Sequence, residues 1–499
     1  MKAIMTHGVS HTNKRRLANG FIIAIVICLG LITAFLYAKS IPQNSTNSAS
    51  TKTSWYSAKS FAATYTVNRT YTSKNNVVIN NLWRMTHKIV GGLSHSCALS
   101  NGKVYCWGRN NAGQLGDNTT TNRLTPVAVY VGTSGSPGAL YGKYVTDISA
   151  GGGHTCAIAG SRAYCWGGNG SGRLGNGPNN GVGGVNSSTT DQPAPVAVTT
   201  TSGAMLAKQV TAISAGGYHT CAIADNQGYC WGRSGEGQIG NSTPANPNQG
   251  QPASDAYSQT TPAAINGGSS SLTSISAGTG HTCAVASGIA YCWGGFSNTC
   301  GGVVIGNNTA GCSTNVNTPN PVNTASGLAN KIVTSITAGA SQSCAIANGA
   351  AYCWGSNLAG ELGTGNASAS LVPAVVSTSG SSALPASAIV TNIAAGVYTD
   401  ASQYQTCAVA DGKAYCWGSN TYGQLGNGNT GTNTNYPVAV ASGGVFSGKY
   451  ISLVTPGTPF ACAVANGRAY CWGRNDYGQL GNNSTTDTNY PVRVNDSYY

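Results

Sequence analysis

A chain of 499 residues with 7% charged positions and a formal net charge of +13 invites a nucleic-acid reading. The charge distribution excludes it. Residues 1–116 hold 13 Lys and Arg and no acid, whereas the other 12 basic residues share 117–499 with all 12 acidic ones, so most of the chain is formally neutral and lacks the clustered basic field that phosphate binding needs.

The basic excess belongs to an amino-terminal arm. Lys14, Arg15 and Arg16 precede a charge-free apolar run from Phe21 to Ala38. Eighteen residues at about 1.5 Å each reach about 27 Å, enough to cross a bilayer core. The predicted order is a cytoplasmic basic segment (1–19), a transmembrane signal-anchor helix (20–38), a polar stalk (39–86) and a folded domain (87–499) outside the membrane. Two other leaders fit. A signal peptide could be cut near "AKS" at 38–40, although the apolar run exceeds the usual length of about 7–15 residues. A pilin-like leader could be cut between Gly20 and Phe21; the segment resembles that family in its basic run, Gly and apolar run, but has Ile25 where the family carries an acid. Each leader exports the rest, so the expected location is extracellular or periplasmic, anchored or secreted.

Of 17 cysteines, Cys28 lies in the apolar run. Fourteen form pairs with one spacing: Cys97 with Cys106, Cys156 with Cys165, Cys221 with Cys230, Cys283 with Cys292, Cys344 with Cys353, Cys407 with Cys416 and Cys462 with Cys471. Cys300 and Cys312 remain. Between Cys97 and Cys106 lies "ALSNGKVY", centred on Asn101-Gly102, a strong signal for a two-residue hairpin turn. If Ser100 and Lys103 flank that turn, Cys97 and Cys106 face each other at a non-hydrogen-bonded position, where Cα atoms approach to about 4.5 Å. That suits a disulfide. Zinc wants four ligands, usually on knuckles two to four residues apart, and redox sites favour Cys-x-x-Cys; both fit less well. The expectation is seven hairpin disulfides plus one between Cys300 and Cys312, in an oxidising compartment.

The first cysteines of successive units are 59, 65, 62, 61, 63 and 55 residues apart. In each unit a strand such as "VTDISAG" (145–151) leads into "HTCAIA", turns, and returns through "RAYCWG". A glycine-rich loop follows: "WGRNNAGQLG" (107–116), "WGGNGSGRLG" (166–175), "WGSNTYGQLG" (417–426), "WGRNDYGQLG" (472–481). A Pro-Val strand closes the unit, as in "TPVAV" (125–129) and "YPVRV" (490–494). Four short strands per unit make one propeller blade.

These residues resemble the regulator of chromosome condensation repeat family, whose marks are the Gly-x-x-His-Thr hairpin, the aromatic-x-Trp-Gly strand and the Asn-x-x-Gly-Gln-Leu-Gly loop. The resemblance covers roughly 87–499 and implies an all-β, seven-bladed β-propeller. The cysteine pairs depart from the family, and the fourth unit, "WGGFSNTCGGVVIG" (293–306), loses the loop motif. "KIVGGLSHSC" (88–97) and "YPVRV" are expected to complete one blade from both termini and so close the ring.

The repeated residues are read as structural. Trp107, Trp166, Trp231, Trp293, Trp354, Trp417 and Trp472 should pack blades, as should the Tyr before each second Cys. His95, His154, His219 and His281 would stand about 10 Å apart, the spacing of packed sheets, too far to share a metal; they are expected to bond the backbone. The glycine loops lack the Lys and helix context of a phosphate cradle. No catalytic constellation, metal site or cofactor site is found, so the chain is read as a non-enzyme. The variable loops 176–194, 241–261 and 295–320 are where binding would concentrate. The expected function is a membrane-anchored recognition or adhesion module for a protein or glycan outside the cell, without nucleic acid. The resemblance offers two alternatives, an exchange-factor-like regulator of a small GTPase and a secreted enzyme or enzyme inhibitor; export and disulfides weigh against the first.

Overall fold

A computed structural model describes residues 86–177, 190–199, 204–242, 258–267, 271–295, 302–308, 316–323, 325–379, 381, 383–397, 403–441 and 444–496. All of these fall in one compact unit, Lys74–Tyr499. The leader, the stalk up to residue 85, Cys300 and Cys312 lie outside the described residues, as do large parts of the three variable loops. Among the described residues no helix is long and apolar enough to cross a membrane.

The fold is an all-β propeller of seven antiparallel four-stranded sheets. The first blade holds β1 (Thr86–Gly91), β2 (His95–Ser100), β3 (Lys103–Gly108) and β4 (Arg123–Ala128), paired in that order. β1 starts one residue before the expected boundary. Burial grades outward. All six residues of β2 are buried, because a neighbouring blade covers each of its faces; "HSCALS" and "HTCAIA" are accordingly near-continuous runs without polar alternation. β4 has one buried residue, Pro126. A proline is tolerated there because an outermost strand leaves N–H positions unpaired.

The core lies between blades. Seven hydrophobic clusters occur, each joining one neighbouring pair. Val90, Leu99 and Leu115 of blade 1, for example, meet Val145, Ile148 and Trp166 of blade 2.

Ring closure differs from the sequence expectation. No blade is shared between the termini: blade 1 is wholly β1–β4, and blade 7 is wholly Ile451–Pro456, Phe460–Ala465, Arg468–Gly473 and Thr488–Arg493. Each repeat already supplies four strands in sequence, so no strand need be borrowed. The ring closes by packing Ile89, Ala98 and Trp107 against Phe460, Leu480 and Val494. Backbone bonds from Thr86 N to Gly467 O (2.8 Å), Thr458 N to Gly92 O (3.2 Å) and Asn483 N to Leu124 O (3.0 Å) add to it.

Two faces follow from the strand ends. One carries the tight hairpin turns. The other, here the loop face, carries the loops between first and second strands together with the starts of the glycine-rich loops, because Gly108 at the end of β3 pairs with His95 at the start of β2.

Candidate functional site

In every hairpin the cysteines are directly opposed. Seven bridges join Cys97 to Cys106, Cys156 to Cys165, Cys221 to Cys230, Cys283 to Cys292, Cys344 to Cys353, Cys407 to Cys416 and Cys462 to Cys471, with Cα–Cα separations of 4.0–4.1 Å. The opposition set by the turn recurs in the pairing of each unit: Cys230 faces Cys221, Cys292 faces Cys283, Cys353 faces Cys344 and Cys416 faces Cys407. In the first hairpin the register runs Ser100↔Lys103, Leu99↔Val104, Ala98↔Tyr105, Cys97↔Cys106, and both turn residues have positive φ (49° at Asn101, 73° at Gly102). All fourteen half-cystines are fully buried. The remaining expected bridge, between Cys300 and Cys312, falls outside the described residues.

The seven repeated tryptophans are buried in the blade joints and are bonded there. Trp166 Nε1 donates to Gln114 O (3.1 Å) of the previous blade, and Thr155 Oγ1 donates to the same carbonyl (2.9 Å). The pattern repeats at Trp231 and Thr220 on Arg173 O, at Trp293 and Thr282 on Gln238 O, and at Trp417 and Thr406 on Glu361 O. Trp107 and Ser96 close the ring on Gln479 O. In blade 4 the same acceptor is Val304 O, receiving Trp354 and Ser343, so "VVIG" (303–306) takes the place of "GQLG". The residue spacing held this substitution, but loss of the Asn, Gln and Leu hid it.

The glycine-rich loop is organised by a buried Asn: Asn110 Oδ1 accepts Leu115 N (2.9 Å) while its Nδ2 donates to Thr119 O and Thr121 O. Asn169, Asn357, Asn420 and Asn475 repeat the bond to the Leu N–H. Gly116 sits at φ 71° against Trp166, where a Cβ would stand 2.6 Å from Nε1.

The histidines correct a second expectation: their recurring bond is to a side chain. His95 Nε2 meets Thr155 Oγ1 (2.9 Å), His154 meets Thr220 (2.8 Å), His219 meets Thr282 (2.8 Å) and His281 meets Ser343 (2.9 Å), each on the next blade. Each hydroxyl proton is already given to a backbone carbonyl. The imidazole must therefore be the donor, in its neutral Nε2–H form. Nδ1 of His95, His154 and His219 has no partner. Burial lowers the pKa from 6.5 to about 4 at His95 and His281 and to about 3 at His219; His154 falls well below 6.5, with Arg173 adding to the burial effect. Backbone bonding occurs instead where the position is Gln: Gln342 Nε2 donates to Gln405 O, and Gln405 Nε2 donates to Phe460 O. Among the described residues no group of three or more His, Cys, Asp or Glu could hold a metal.

The Tyr before the second Cys also has a partner that sequence reading missed. Lys143, Lys208, Lys331 and Lys449 lie over Tyr164, Tyr229, Tyr352 and Tyr470, 5.5–5.8 Å from the ring centroids. The recurrent "GKYV", "AKQV", "NKIV" and "GKYI" ahead of the first strands carried that signal.

Arginines and tyrosines of the connecting loops stand together on the loop face. Arg109 lies over Tyr477, Arg173 and Arg233 both lie against Tyr218, and Arg474 lies over Tyr422. Arg233 pairs with Glu236 and Arg474 with Asp476. Arg109 and Arg173 instead line a cavity of about 370 Å³, together with Ser94, Gly153, Asp191 and Tyr218. The sequence offered one clue to it, Arg in "GSGRLG" where most loops have Gln.

Comparison with known proteins places this architecture. A model of the RCC1-like domain matches residues 136–498, and models of the regulator of chromosome condensation (RCC1) repeat match 101–158 and 87–114. The ultraviolet-B receptor UVR8 of Arabidopsis thaliana is 28% identical over 411 residues, covering 81% of this chain and 80% of that protein. Human WBSCR16 superposes with a TM-score of 0.62 at 19% identity, over 79% of this chain and 94% of its own. Prp20p of Saccharomyces cerevisiae gives 0.60 at 19% identity, over 84% and 89%. With the blade joints, loops and hairpins built as described, the chain belongs to the RCC1-like domain family.

Proposed function

We propose that this chain is an exported, disulfide-stapled member of the family that binds another protein through its loop face, held at a membrane by residues 20–38. The observation that carries the reading is the division of labour among residues. The repeated Trp, His, Thr, Asn and Cys are consumed in joints, loops and hairpins, whereas Arg109, Arg173 and Tyr218 line a cavity on the loop face. Loops on a rigid scaffold are where recognition concentrates. Prp20p is described with binding to Gsp1p and histones, which supports a protein partner for this scaffold. The bridges support an oxidising location, where the role is recognition or adhesion, and the reading calls for binding without turnover.

The test uses the full chain with a photo-crosslinking residue at Asn111 on the loop face or at Ser161 on a turn. On intact cells, a protein crosslinked from Asn111 and not from Ser161 is expected. Capture only from the turn side, or no labelling by a membrane-impermeant reagent, overturns the reading.

A further inference from the structure

Four arginines stand on the loop face, and they divide into two kinds. Arg233 and Arg474 have carboxylate partners in their own loops. Arg109 and Arg173, which line the cavity, have none within ion-pair distance among the described residues. Arg173 is half-buried: its Nε donates to Gly170 O (2.9 Å) and its Nη1 to Gly217 O (3.2 Å), and among the described residues Nη2 has no hydrogen-bond acceptor. Burial makes the charged form costly enough to lower its pKa. Among the described residues the one acid lining the cavity is Asp191, which has Oδ1 engaged by Asn169 N (2.9 Å) and forms an ion pair with neither arginine. Two cations and one anion make the described lining positive by one. A half-buried guanidinium without an ion-pair partner is stabilised by an anion that completes it.

Position 173 does not require a cation. The equivalent residue is Gln114, Gln238, Gln424 or Gln479 in other blades, and the joint uses only its backbone carbonyl. Arg173 thus serves the joint through its carbonyl as Gln does, and where the Gln Oε1 accepts a loop N–H, the Arg173 guanidinium instead donates to Gly170 O and Gly217 O. The cavity is also open for a reason of sequence. The residue before the blade histidine is Tyr218 in blade 3 and Tyr404 before the corresponding Gln in blade 6, whereas blade 2 has Gly153. A Cβ on Gly153 would meet only Arg173 Nη1, at 3.9 Å.

We propose that this cavity is a carboxylate-docking site, in which Arg109 and Arg173 receive an Asp or Glu side chain from an acidic segment of a partner protein. This rests on the recognition reading above and names the chemistry of its partner. A planar guanidinium forks two N–H groups onto a carboxylate. The tyrosines beside the arginines hold the cations in place.

The test is isothermal titration of the oxidised full chain at low salt with a capped hexaglutamate peptide. A hexaglutamine peptide and a uronate oligosaccharide of equal charge are titrated beside it. Arg173→Gln installs the residue other blades carry, and Gly153→Tyr copies Tyr218, so both are expected to keep the melting temperature. Hexaglutamate is expected to bind, about ten- to hundredfold more weakly after Arg173→Gln, Arg109→Gln or Gly153→Tyr, and unchanged after Arg474→Gln, as suits loss of a charge-assisted bond. Equal binding by Arg173→Gln, equal binding of hexaglutamine, or absence of hexaglutamate binding overturns the proposal. Tighter binding of the uronate overturns it in favour of a glycan. Failure here leaves the crosslinking experiment from Asn111 to decide the broader reading, since that capture does not depend on Arg173.

Discussion

The four blade histidines make acid stability the sharpest consequence of the joint geometry. Each imidazole is buried, neutral and committed as an Nε2–H donor to a hydroxyl whose own proton is spent. At His95, His154 and His219 protonation would place a charge where Nδ1–H finds no acceptor. With the pKa lowered from 6.5 to about 4 at His95, the unfolded chain binds a proton that the folded chain refuses. The stabilisation is therefore complete above pH 6.5 and is lost as pH falls from there towards 4, at about 1.4 kcal/mol per pH unit per histidine. Between about pH 7 and pH 5 each histidine forfeits about 2 kcal/mol, and the four together about 7 kcal/mol. At roughly 0.9 kcal/mol per degree for a propeller of this size, that is about 8 °C in Tm. The perturbation is His→Gln at 95, 154, 219 and 281, which copies Gln342 and Gln405. Tm is read by calorimetry across that range with disulfides intact. The quadruple variant should lose about 8 °C less than the native chain on acidification. An identical pH slope in both proteins would refute the joint as described.

Other expectations follow from single contacts. Gly116→Ala forces a positive-φ alanine against Trp166 and should cost at least about 2 kcal/mol by denaturant titration, whereas Gly153→Ala should be near neutral. Glu361 replaces the loop Gln in blade 5; burial raises its pKa, and its Oε1 lacks a partner. Glu361→Gln should therefore stabilise by about 1 kcal/mol at neutral pH, with the gain vanishing below about pH 4, where the native side chain is protonated. Removing one bridge, as in Cys156→Ala with Cys165→Ala, should cost up to about 2–3 kcal/mol, less to the extent that the hairpin forms locally; a loss above about 5 kcal/mol would mean the bridge does more than close a short loop.

The repeat was legible because its signals are local. Cysteine spacing, the turn dipeptides and the Trp-Gly and Pro-Val strands each report on neighbours within a hairpin, and they give the blade count. Relations between blades were not legible. The histidine partner is Thr of the next blade, about 60 residues away, and no local pattern distinguishes a hydroxyl acceptor there from a carbonyl. Ring closure failed for the same reason: the strand inventory of one repeat is visible, but whether the ends exchange strands is set by packing of Ile89 and Trp107 on Phe460 and Leu480. The cavity was not legible for the same reason, since only the fold brings residues 109 and 173 to one site.

The proposal of an exported propeller rests on the paired cysteines being fasteners of individual hairpins, made in an oxidising compartment. The most direct measurement is non-reducing peptide mapping by mass spectrometry of the native chain, with free thiols trapped at lysis. The account predicts seven bridges of identical spacing: Cys97 to Cys106, Cys156 to Cys165, Cys221 to Cys230, Cys283 to Cys292, Cys344 to Cys353, Cys407 to Cys416 and Cys462 to Cys471. It also predicts Cys300 joined to Cys312. Free thiols at most of these positions, or bridges between blades, would contradict it.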